Sequence, residues 1–273
     1  MGASGLAPTI DRIDTQRLAP SRSVADERTA SLPLEIALPI PRVDGLADRN
    51  SSAGFEPRPR SEGLDRIINV TLAIAGLILA LPLMLLCGLL IKLTSPGPVF
   101  YSQARVGLDR RRPDGSHPPY DRRSRNLGGR PFMIFKFRTM RSDAEKKIGA
   151  VWASPGDTRV TRVGKFMRKY RVDEIPQLIN VLRGEMNIVG PRPERPSIFV
   201  RLSDDITEYP LRQRARPGIT GWAQVNNSYD TNLDDVRRKV RYDLEYLQRQ
   251  GVGEDLMIMA RTVPVMLFRK GGW

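Results

Sequence analysis

Histidine and cysteine are nearly missing from this chain: its 273 residues include one of each, His117 and Cys87. A single cysteine excludes a disulfide framework and a cysteine metal cluster, and its place inside an apolar run should raise its thiol pKa rather than lower it. A single histidine, in a stretch rich in Pro, Arg and Asp, argues against Ser-His-Asp and Cys-His mechanisms and against a histidine-rich zinc site. Carboxylates, lysine and arginine are left to carry any chemistry. Acidic residues are outnumbered, 30 Asp and Glu against 44 Lys and Arg, so partners should be anionic: nucleic acid, acidic lipid or phosphorylated small molecules. Aromatic residues are also sparse, at 7%. With the arginines scattered rather than gathered along one strip or recognition helix, that scarcity speaks against nucleic acid.

Residues 1–63 are rich in Arg, Pro, Ser, Asp and Ala, and their short apolar pieces are cut by proline, which predicts a disordered polar tail. No signal peptide is visible, because no basic region precedes a continuous apolar core. The segment 64–93 is different in kind. From Ile67 to Ile91 no residue is charged, and as a straight helix this run would reach roughly 37 Å, enough for a hydrocarbon core of about 30 Å. A single spanning anchor is one reading. Two features favour a re-entrant helix that breaks and leaves by the face it entered. Pro82 removes the hydrogen bond to the carbonyl of Ile78 and kinks the helix. Basic residues also flank both ends, with Arg58, Arg60 and Arg66 before and Lys92, Arg105, Arg110 and Arg111 after, so the asymmetry expected of a spanning helix is missing.

The segments VFYSQARVG and PFMIFKFRTM read as the arms of a β-hairpin. In the second, Phe132, Ile134, Lys136 and Arg138 alternate with Met133, Phe135, Phe137 and Thr139, so Lys136 and Arg138 share a face and could reach one diphosphate; a lysine guarding a solvated strand edge is the plainer alternative. Between the arms lies an inserted loop, 108–129, rich in arginine.

The densest segment runs from Lys169 to Glu194. Pro176 fits only the first turn of a helix, which places the start of the helix carrying Gln177, Leu178, Val181 and Leu182 close to Val172 and puts Asp173 and Glu174 at its amino end. Acids there are commonly just helix stabilisers. They are followed, however, by Gly190-Pro191-Arg192-Pro193, where an arginine fixed between prolines presents a guanidinium fork suited to phosphate or base recognition.

These residues resemble the bacterial sugar transferases, the monotopic phosphoglycosyl transferases or undecaprenyl-phosphate sugar phosphotransferases. The resemblance covers roughly Leu64 to the C-terminus and rests on ordered motifs: Gln103 and Arg105 with Val106 and Gly107; Lys136-Phe137-Arg138-Thr139-Met140; Asp173-Glu174 with Pro176 and Gln177; Gly190-Pro191-Arg192-Pro193; and Arg216-Pro217-Gly218-Ile219-Thr220-Gly221-Trp222. The loop at 108–129 is longer than the family's usual turn. The resemblance implies transfer of a sugar 1-phosphate from a UDP-sugar to polyprenyl phosphate with release of UMP, the initiating step of exopolysaccharide or glycan assembly. It assigns Asp173 as a covalent nucleophile and Glu174 as a ligand of Mg²⁺. Gln103, Arg105, Lys136, Arg138, Pro191, Arg192 and Pro193 become substrate-binding residues. Localisation at the cytoplasmic face of the bacterial inner membrane follows, with anionic lipids and downstream glycosyltransferases as further partners; monomer and homodimer both stay open.

The expected fold is α+β and mostly helical: the re-entrant helix, then a small cytoplasmic catalytic domain over 94–273 with a β-hairpin and interfacial helices. Leu233, Val236, Val240, Leu244 and Leu247 predict a core-facing helical stripe ending at Gly251. The run from Asp255 to Trp273 suits an interfacial segment or a buried terminal helix equally. The rival reading from another class is a membrane-tethered basic binding or scaffold protein of a polysaccharide assembly complex.

Overall fold

The computed structural model describes residues 55–110, 128–141, 157–227 and 232–268, all within one unit spanning 47–273. Most of the predicted polar tail and of the inserted loop lies outside the described residues.

Helix α1 runs Glu62–Thr94 and is capped by the Ser61 side chain at its start. Its 33 residues make it about 50 Å long, and it is the one described helix long and apolar enough to cross a membrane. Pro82, where the sequence predicted a kinked and broken helix, lies inside this element, with helical backbone on both sides of it. Proline removes one hydrogen bond from the ladder, and the neighbouring turns suffice to keep the element continuous. Both ends of α1 pack on the rest of the protein. Asp65, Asn69 and Ala73 are buried before Pro82, and Cys87 and Ile91 after it. Between them Ile78, Leu79, Leu81, Leu85 and Leu86 are exposed.

Strands β1 (Phe100–Val106) and β2 (Pro131–Phe137) form the expected antiparallel hairpin, with Tyr101 opposite Lys136 and Gln103 opposite Ile134. The two faces of β2 feed two cores. Phe132 and Ile134 join Ala73, Val181 and Met186, whereas Phe137 joins Cys87, Ile91 and Met167. The hairpin thus touches both halves of α1 and the short helices behind it.

Helix α2 (Arg162–Lys169) is followed by a 3-10 turn, Val172–Glu174, and by α3, Gln177–Leu182. The helix predicted to begin near Val172 begins at Gln177 instead. Pro176 is its N-cap, and without an N–H it cannot extend regular α hydrogen bonding backwards, so the acidic pair occupies a separate, tighter turn. Arg66 of α1 closes the other end of α3, donating to the carbonyls of Val181 and Leu182.

Strand β3 (Asn187–Val189) pairs in parallel with β4 (Gly218–Thr220). A Cβ at Gly190 would lie 2.3 Å from the carbonyl oxygen of Arg216, and one at Gly218 would lie 2.1 Å from the nitrogen of Gly190. Glycine at both positions lets the Gly-Pro-Arg-Pro segment lie against Arg216-Pro217-Gly218, so the two motifs are halves of one close backbone contact. Helices α4 (Pro196–Asp205), α5 (Trp222–Asn226), α6 (Leu233–Arg249) and α7 (Val252–Phe268) complete the unit. The predicted stripe on α6 is buried at Val236, Val240, Leu244 and Leu247, but Leu233, in the first turn beside the Asn232 cap, is 36% exposed.

The end of the predicted tail is ordered onto this frame. Phe55 is buried, the N–H of Arg58 donates to the carbonyl of Leu247, and Arg60 pairs with Asp65 and Asp255.

Candidate active site

The turn bearing Asp173 and Glu174 opens at Arg171, whose φ of 56° makes it the one non-glycine residue with positive φ among the described residues. Such a backbone costs free energy and persists only where the surroundings hold it. Here it aims two adjacent carboxylates inward, and both residues are 7% exposed.

Their surroundings differ. Glu174 is gripped by two cations: Nζ of Lys136 donates to Oε1 at 2.6 Å, and the guanidinium of Arg192 donates to both Oε1 and Oε2. Burial opposes ionisation of Glu174, but Arg192 and Lys136 outweigh it and hold the carboxyl well below the usual carboxylate range. Asp173 has no such grip, and its buried Oδ1 lacks a hydrogen-bond partner among the described residues. Burial, and then the negative charge of Glu174, push its carboxyl up to about 6. Two neighbouring acids are therefore driven apart in pKa: one is locked as an anion, and the other is an under-solvated carboxylate that still ionises at neutral pH.

Lys136 reaches this site because β2 is fastened to α3. The side chain of Asn180, fully buried, accepts from the N–H of Phe135 and donates to the carbonyl of Met133. Arg192 is fastened from behind, where the buried guanidinium of Arg212 donates to its carbonyl while pairing with Asp243 at 2.6 Å. Pro191 and Pro193 on either side are buried. Nη1 of Arg192 also donates to Oε1 of Gln224 on α5.

The remaining predicted residues are placed differently. Arg138 shares a strand face with Lys136 only in the pattern of the sequence: β2 ends at Phe137, and the Arg138 guanidinium turns to the Ser95 and Pro96 carbonyls at the end of α1. It is 6% exposed and fixes the turn after α1. Gln103 accepts from Arg105, which itself donates to Glu194 and the carbonyl of Pro193, so this pair braces the Pro-Arg-Pro segment from β1.

Sequence reasoning missed Asn180, Arg212, Asp243 and Gln224. Asn180 left a trace as one polar residue inside the apolar stretch Leu178–Leu182. Arg212 left none, since nothing local marks an arginine destined for full burial. No group of three or more His, Cys, Asp or Glu side chains comes together among the described residues. Carboxylate oxygens are the donors a hard divalent cation of the Mg²⁺ type takes, its shell completed by water and substrate phosphates, but Lys136 and Arg192 already hold both oxygens of Glu174.

Comparison with known proteins shows the family. A family model described as Bacterial sugar transferase matches residues 60–269. The chain belongs to the bacterial sugar transferases. An Aeromonas hydrophila protein named UDP-N-acetylgalactosamine-undecaprenyl-phosphate N-acetylgalactosaminephosphotransferase is 38% identical over 83% of this chain and 48% of its own length. A Caulobacter vibrioides protein named UDP-glucose:undecaprenyl-phosphate glucose-1-phosphate transferase is 39% identical over 77% of this chain and 72% of its own. A Bacillus subtilis protein whose name reads "Putative undecaprenyl-phosphate N-acetylgalactosaminyl 1-phosphate transferase" is 38% identical over 77% of this chain and 96% of its own. This sugar transferase chain thus spans about half of the first relative and nearly all of the last.

Proposed function

We propose that this protein transfers a sugar 1-phosphate from a UDP-sugar to polyprenyl phosphate, the reaction type named for its relatives, as the opening step of polysaccharide assembly. The observation that carries the reading is the divergence of the acidic pair, with Glu174 caged by Lys136 and Arg192 and Asp173 buried with a bare Oδ1. A carboxylate short of hydrogen-bond donors is a stronger nucleophile than a solvated one. A carboxylate oxygen of Asp173 attacks the sugar-bearing phosphorus. The Asp–O–P bond forms, the bridging P–O bond to the uridine-bearing phosphate breaks, and UMP leaves. A phosphate oxygen of polyprenyl phosphate then attacks the same phosphorus, the polyprenyl diphosphate sugar departs, and the Asp173 carboxylate is restored. Lys136 and Arg192 bring positive charge to a diphosphate entering beside Glu174, and phosphoryl transfer asks mainly for such positioning and neutralisation. Glu174 would hold Mg²⁺, which when bound offsets the repulsion between an anionic nucleophile and an anionic diphosphate.

The membrane arrangement we propose is re-entrant, with the catalytic unit on the cytoplasmic face. Burial of Asp65, Asn69 and Ala73 on one side of Pro82, and of Cys87 and Ile91 on the other, within one unit supports it. A helix that crossed the bilayer would leave its two ends about 30 Å apart on opposite sides, where one body could not cover both. The exposed leucines between them then meet lipid. The test of function is purified protein in detergent with Mg²⁺, polyprenyl phosphate and a panel of UDP-sugars. We expect UMP release with at least one sugar, together with a phosphosugar adduct on Asp173 when the lipid is withheld. No UMP with any of them would return the chain to a binding or scaffold role.

A further inference from the structure

Gln224 sits on α5 at the edge of the acidic site, and its two amide atoms have different fates. Oε1 accepts from Nη1 of Arg192 at 3.2 Å. Nε2 is buried and has no hydrogen-bond partner among the described residues. The orientation of the amide is not arbitrary. A guanidinium carries only donors, so the atom of Gln224 that faces Arg192 must be the oxygen, and the NH₂ must point elsewhere. A buried donor without an acceptor is costly, and in native proteins it calls for an explanation.

The surroundings say what kind of acceptor is missing. Lys136, Arg171 and Arg192 all lie within salt-bridge range of Glu174, so a group entering beside Arg192 is favoured if it is anionic. The chemistry that satisfies a neutral N–H next to a guanidinium is a phosphate oxygen, which accepts from both at once. The backbone adds to the argument: α5 starts directly after Gly221, whose close approach to the carbonyl of Gly190 ties Gln224 to the Pro-Arg-Pro segment.

We propose that Gln224 is a substrate-contacting residue whose Nε2–H donates to an oxygen of the sugar nucleotide's diphosphate while its Oε1 holds Arg192 in place. The assignment rests on the sugar-phosphate transfer proposed above.

Two substitutions separate the two halves of the amide. Gln224→Leu removes donor and acceptor. Gln224→Glu keeps, and strengthens, the acceptor facing Arg192 but replaces the donor with an anionic oxygen directed at the phosphate. With full-length protein in detergent we expect kcat/KM for the UDP-sugar to fall roughly 10- to 100-fold in Gln224→Leu and further in Gln224→Glu, with the KM for polyprenyl phosphate unchanged in both. Binding of UDP and of inorganic pyrophosphate, measured by calorimetry, should weaken in the same order. Retained activity in Gln224→Glu with loss in Gln224→Leu would show that Gln224 only positions Arg192, and retained activity in both would remove it from the site; either overturns the proposal. If the wild type releases no UMP from any UDP-sugar, the proposed reaction fails, but the pyrophosphate titration still decides the donor role. Weakening in both variants upholds it, and a wild type that binds neither UDP nor pyrophosphate overturns it. Circular dichroism and gel filtration confirm folding, and should Gln224→Leu fail to fold, Gln224→Glu and Gln224→Asn carry the test.

Discussion

The ammonium of Lys136 lies 2.6 Å from a carboxylate oxygen of Glu174, joining strand β2 to a 3-10 turn 38 residues further along the chain. Burial lowers the pKa of Lys136, and Glu174 works against that fall. The lysine thus adds to the larger effect of Arg192 in keeping Glu174 ionised, while burial leaves Asp173 the acid with the higher pKa. Lys136→Met should remove one of the two cations that grip Glu174 and reduce UMP release by two or more orders of magnitude, on the scale seen when one electrostatic stabiliser is removed. A change below tenfold in initial-rate assays would separate the lysine from the chemistry.

Asp173→Asn should abolish turnover and the covalent adduct while leaving the protein folded. It should also stabilise the protein above pH 6. With a folded pKa of about 6 against 3.8 unfolded, the native state binds more protons between those values, so Asp173 makes stability fall as pH rises through that window. The asparagine variant lacks this loss. Its melting temperature relative to wild type should rise at pH 8, and the gain should shrink toward pH 4; an equal difference at both values would refute the shift.

The same carboxyl sets the acid limb of the rate profile. The proposed first half-reaction needs Asp173 ionised, so single-turnover UMP release should decline below about pH 6. A limb near 4, where an unshifted aspartate titrates, would mean that the residue is more solvated than its burial implies.

Activity should vanish in chelator and return with Mg²⁺ or Mn²⁺, both oxygen-preferring ions. Full activity in chelator would take Glu174 out of any metal shell.

Asp243→Asn leaves the fully buried Arg212 guanidinium without its counter-charge, which should cost roughly 3–5 kcal/mol in denaturant unfolding. Arg212→Met with Asp243→Leu should recover most of that stability. It should not recover activity, because the donor to the Arg192 carbonyl is still gone.

Pro82→Leu restores the missing hydrogen bond inside α1 and leaves an apolar helix long enough to cross, so part of the population should move its N-terminal segment outward. A Ser51→Cys reporter in a Cys87→Ala background, treated with impermeant maleimide in intact cells, should stay unlabelled with Pro82 and gain label without it. Strong labelling with Pro82 in place would establish a spanning helix.

Much of this protein was legible from local pattern. Alternation gave the hairpin, an uncharged run gave α1, helical spacing gave α6, and the acidic pair with the Pro-Arg-Pro turn pointed to the candidate site. These are features whose physics is contained within a few residues. Other features were set at long range. The sequence aligned Lys136 with Arg138, but the strand ends between them, and unmet carbonyls after α1 took the arginine. It placed Asp173 and Glu174 side by side and could not distinguish them, because their difference comes from Lys136, Arg192 and burial, and only folding brings those together. Asn180, Gln224 and the Arg212–Asp243 pair carried too little local signal for the same reason. Local sequence determined which elements form and which residue types could do the chemistry. Tertiary structure alone decided which charges face each other, since Coulomb energy depends on distance and solvent exclusion and not on separation along the chain.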